Sequence, residues 1–140
     1  MNKQEKIQWI PKDDCKNLSE AELSQLKALF ADSPLLHYYP AKSKVNIQIE
    51  IRKRIPIGSQ ILNGTIWNLD FVNDNPTPAG FPRATLDQFA EHELLLVEIL
   101  HITGKTGGMG SYFGYLGYYY SVIVDLGQAQ VLDVRGQKMS

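Results

Sequence analysis

Residues 93–126, ELLLVEILHITGKTGGMGSYFGYLGYYYSVIVDL, constrain this chain more than any other stretch. Two long apolar segments flank a glycine-dense connection, and Tyr112, Tyr115, Tyr118, Tyr119 and Tyr120 all fall within it. A stretch this apolar must be buried, and its central glycines let the backbone reverse. A helix over 94–103 would align Leu94, Val97 and Leu100 but leave Leu95, Ile99 and Ile102 on the polar side. A strand buried on both faces accounts for all six. Residues 111–126 read as a second long strand rich in Tyr, Phe, Val and Ile, with Gly114 and Gly117 marking bends. A last strand over 129–134 follows a tight turn at 126–128, and the polar end RGQKMS reads as frayed.

The remaining elements are arranged around this hairpin. Ser19 with Glu22 three residues on is a capping box, and Leu23, Leu26, Leu29 and Phe30 form an apolar stripe at helical spacing before Pro34. Ile7 and Trp9 alternate as in a short edge strand that Pro11 would end. In KVNIQIEIRKRI, residues 44–55, Val45, Ile47, Ile49, Ile51 and Ile55 alternate with Asn46, Gln48, Glu50, Arg52 and Arg54. Period two predicts a strand with one dry and one wet face. Residues 61–72 read as its hairpin partner, and the proline-rich run 73–82 as a loop. Thr85 with Gln88 repeats the capping pattern and predicts a second short helix. The fold expected is α+β: an N-terminal helix packed on a curved antiparallel sheet of four to six strands, with the second helix before the C-terminal hairpin. A length of 140 residues fits one domain over 1–140.

Composition narrows function mainly by exclusion. A formal charge of -1 argues against general nucleic-acid binding. The lone Cys15 cannot form an internal disulfide or a multi-cysteine zinc site. The polar N-terminus lacks the apolar core of a signal peptide, and no apolar run reaches ~18 residues, so a cytoplasmic protein that does not enter a membrane is expected.

Candidate chemistry is sparse. Gly104-Lys105-Thr106 resembles the end of a phosphate loop, but Ile99 stands where the upstream glycine belongs, and a strand follows in place of a helix. Glu98 and His101 could act as an acid–base pair only on a helix, since strand geometry sends them to opposite faces. No cofactor or metal set is indicated. The basic group Lys42, Lys44, Arg52, Lys53 and Arg54 reads as the wet side of a strand that discourages edge aggregation. The tyrosine-rich strand cannot leave both faces bare, so one face is core and the other is covered, lines a cavity or forms an interface.

These features suggest a protein-binding or inhibitory module without catalytic chemistry, of the kind a bacterial immunity protein exemplifies. Its contact surface would draw on Tyr112, Tyr115, Tyr119, Lys105, Met109 and Phe81. The competing expectation is a ligand-binding or enzymatic α+β cone with a tyrosine-lined pocket, worked by Asp70, Glu98 or His101. The strand at 44–55 could also pair with a second copy to give a homodimer.

Overall fold

The alternating and two-sided apolar runs form a single five-stranded sheet in the order β1-β2-β3-β4-β5. The computed structural model describes residues 6–31, 33–37, 46–62, 80–105 and 115–139. Strand β1 is Lys6–Pro11, followed by a 3-10 turn at Asp13–Cys15, helix α1 at Glu20–Phe30 and a one-turn helix α2 at Pro34–His37. Then come β2 (Asn46–Ile55), β3 (Leu94–Lys105), β4 (Tyr115–Asp125) and β5 (Gln130–Met139). β1 runs parallel to β2, while β2–β3, β3–β4 and β4–β5 are antiparallel.

The expected fold class needs correction. The chain enters the sheet through β1 before any helix, and the sheet is mixed. Parallel neighbours cannot be joined by a tight turn, so α1 serves as the crossover from β1 to β2. The second helix is absent from residues 85–90. Thr85 and Gln88 close only one turn, the Gln88 N–H donating to the Thr85 carbonyl at 3.2 Å. The Ile61 N–H donates to the Gln88 carbonyl and the Ala90 N–H to the Ser59 carbonyl. Segment 58–61 thus takes the backbone groups that a helix would use internally, leaving a Gln60–Phe89 bridge.

The hairpin expected between residues 44–55 and 61–72 is also displaced. β2 already has β1 on one side and β3 on the other along Asn46–Ile51, so neither edge is open there to that segment or to a second copy. Residues 63–72 lie outside the described residues.

One face of the sheet carries Trp9, Ile47, Ile49, Ile51, Val97, Ile99, Tyr120, Val122 and Val134, which form one core with Leu26 and Phe30 of α1 and with Leu35 and Leu36. Trp9 meets Phe30 with ring centroids 6.3 Å apart, and Lys27 Nζ sits 5.9 Å from the Trp9 ring centre. The helix starts at Ser19, whose hydroxyl accepts the Glu22 N–H, while Glu22 Oε1 accepts the Ser19 N–H at 3.0 Å. The opposite face buries Ile55, Leu94, Leu96 and Ile123 against Ile61, Leu62, Ala84 and Ala90. β3 is therefore dry on both sides from Leu94 to Ile102 except at Glu98.

A register shift between Ile51 and Lys53 explains why Ile55 leaves the face that Ile47, Ile49 and Ile51 share. One extra residue in β2 inverts the parity beyond it. Gly117, with φ of 140°, occupies backbone space that favours glycine within β4. β5 continues to Met139, so residues 135–139 of the end expected to fray pair with β4. Among the described residues no helix is long and apolar enough to cross a membrane.

Candidate functional site

Two clusters of charge stand out, one buried within the sheet and one open at its end. The first follows from register. Ile10, Glu50, Glu98, Ser121 and Arg135 are successive cross-strand partners, one from each strand. Glu50 and Glu98 are directly opposed like charges, a costly pairing unless a cation lies between them. Arg52 Nη1 donates to Glu50 Oε1 at 3.1 Å and to Glu98 Oε1 at 3.2 Å, and Lys12 Nζ lies 3.5 Å from Glu50 Oε2. Burial pushes the Glu98 carboxyl above its ordinary range, helped by Glu50 and opposed by Arg52, Lys12 and a hydrogen bond with Ser121.

The same face holds a second pair. Arg135 Nε donates to both oxygens of Asp133 at 3.1 Å, and its Nη2 donates to the Ala84 carbonyl at 3.0 Å. Asp133 Oδ1 accepts the Ala84 N–H at 2.8 Å. Both residues are buried, Asp133 at 0% and Arg135 at 2% exposure. With the Val134 N–H donating to the Pro82 carbonyl at 3.2 Å, these bonds hold residues 82–84 along the outer edge of β5. Mutual pairing neutralises these groups in place, and it is the usual condition for keeping charge inside a fold.

The second cluster is at the end of the sheet where β2 finishes and β3 begins. The backbone N–H of Arg54 donates to the Asp14 carboxylate, its Nε to the Asp14 carbonyl at 3.0 Å and its Nη2 to Asn17 Oδ1 at 2.9 Å. Its Nη1 donates to Glu93 Oε1 at 2.9 Å and lies 3.9 Å from Glu22 Oε2. Beside it, His92 Nδ1 and Asp125 Oδ2 are 2.8 Å apart, and Asp125 Oδ1 accepts the Gln128 N–H at 3.1 Å. Glu22, Arg54, His92 and Glu93, with Gln25 and Gly127, line a groove of about 270 Å³ whose apolar part comes from Leu95 and Leu126.

The residues expected to form a contact surface do not assemble into one described patch. Tyr112 and Met109 lie outside the described residues, as does Asp70. Lys105 and Tyr115 are register partners near the β3–β4 connection, and Tyr119 lies opposite Leu100 and Gln137. Phe81 instead packs, half-buried, against the helix-side core near the middle of β5.

The acid–base expectation for Glu98 and His101 fails on geometry. Glu98 meets Arg52 on one face, while His101 lies on the helix face, its Nε2 donating to the Leu35 carbonyl and its ring edge-on to Tyr120 at 5.7 Å. Cys15 is buried, and burial together with the Asp14 carboxylate pushes its thiol up to about 12, which makes it a poor nucleophile at neutral pH. Among the described residues no group of three His, Cys, Asp or Glu side chains is placed to hold a metal ion.

The Glu91-His92-Glu93 run and the basic end of β2 lie far apart in the chain. The link was the register Arg54 opposite Leu95 and Ile55 opposite Leu94, which brings the two runs together. Comparison with family models, curated proteins and solved structures finds no match for the chain.

Proposed function

We propose that the protein is a docking module of the inhibitory, immunity-like kind, acting by occupying a partner's surface. The carrying observation is a clustered apolar set that holds three of the four exposed large hydrophobic side chains among the described residues, the fourth being Ile7. Ile57 is 70% exposed, Phe89 59% and Leu86 41%. All three lie on segments 56–62 and 85–90, which the Gln60–Phe89 bridge and the Gly58 N–H to Ala90 carbonyl bond at 2.8 Å tie together. Large apolar side chains held out in water by a hydrogen-bonded scaffold suit a partner contact, where aromatic and aliphatic anchors contribute most of the affinity. The charged groups of the buried band support the same reading, since each already binds a neighbour within the protein.

The test is quantitative capture from a native lysate by the tagged protein and by an Ile57→Ser/Phe89→Ser variant of equal thermal midpoint. One stoichiometric protein retained by the first and lost by the second is expected. Retention that ignores these substitutions contradicts the proposal, as does a bound small molecule with no protein.

One observation favours a second reading, the enzymatic cone. Glu98 combines a raised proton affinity with a directly opposed carboxylate, an arrangement used for general acid–base work. Turnover abolished by Glu98→Gln in a fully folded variant would select it.

A further inference from the structure

We draw no further inference here: the strongest candidate, the half-exposed His92 held on the buried Asp125 carboxylate in the groove at the β2–β3 end of the sheet, has no hydroxyl or thiol among the residues lining that groove and no third metal ligand among the described residues, and nothing in the structure shows what the groove would hold.

Discussion

Replacing Arg135 with Met tests whether the Asp133–Arg135 pair holds residues 82–84 on the sheet edge. The substitution removes two hydrogen bonds to a carboxylate with no solvent exposure and one bond to the Ala84 carbonyl. Asp133 would keep the Ala84 N–H at 2.8 Å and the charge of Arg83. Breaking a buried pair from one side costs about 3–5 kcal/mol, because the remaining charge is stranded. For a domain near this size each kcal/mol shifts Tm by about 2–4 °C, so a fall of about 10 °C is expected. The double variant Asp133→Leu/Arg135→Met strands no charge, but Ala84, at 4% exposure, loses the partners of both its N–H and its carbonyl. That leaves about 1–3 kcal/mol of loss for each backbone group that stays buried, and since the carbonyl loses its donor in both variants, the N–H loss alone is set against the stranded charge. Urea unfolding followed by circular dichroism should place the double variant between wild type and Arg135→Met. A single variant costing under about 1 kcal/mol, or a double variant as stable as wild type, would refute the reasoning.

Glu98→Gln should be at least as stable as wild type at neutral pH, because burial makes the ionised carboxyl costly. A carboxyl with a raised folded-state pKa gives stability that is full below the unfolded value of 4.5 and is lost as pH rises through the folded value. The advantage of the variant over wild type should therefore shrink as pH falls from neutral toward 4.5, and urea midpoints that keep a pH-independent gap would refute this. Leu26→Ala empties a fully buried site between α1 and the sheet and should cost about 2–5 kcal/mol by the same assay. Cys15, with its thiol at about 12, should resist alkylation at neutral pH until urea unfolds the chain, and rapid labelling of the native protein would contradict its burial.

What could be read from the sequence was local. The Ser19–Glu22 box marked the helix start because both bonds join residues three apart. The apolar run from Leu94, broken at Glu98, identified β3, since only a strand dry on both faces places all its apolar residues. Features set by distant pairing were hidden. Nothing in residues 6–11 announces a parallel partner forty residues away. Alternation keeps Arg52 in the Glu50–Glu98 band, but the bulge after Ile51 sends Arg54 to the helix side, so the single wet stripe expected of β2 divides between two faces. The end RGQKMS looked frayed because it is polar, whereas its Arg135 is buried in partnership with Asp133. The Thr85–Gln88 pattern misled for a similar reason, as segment 58–61 competes for the same backbone groups. The candidate groove was invisible because it depends on where β2 and β3 align.

The docking claim is tested most directly by site-specific crosslinking. A photoreactive phenylalanine analogue placed at position 89 should crosslink to the captured partner, because Phe89 is 59% exposed within the proposed contact. The same group at position 7 on β1, where Ile7 is 36% exposed, should not. Crosslinks from position 7 alone, or equal yields from both positions, would contradict the assignment of the docking surface to the β2–β3 end of the sheet.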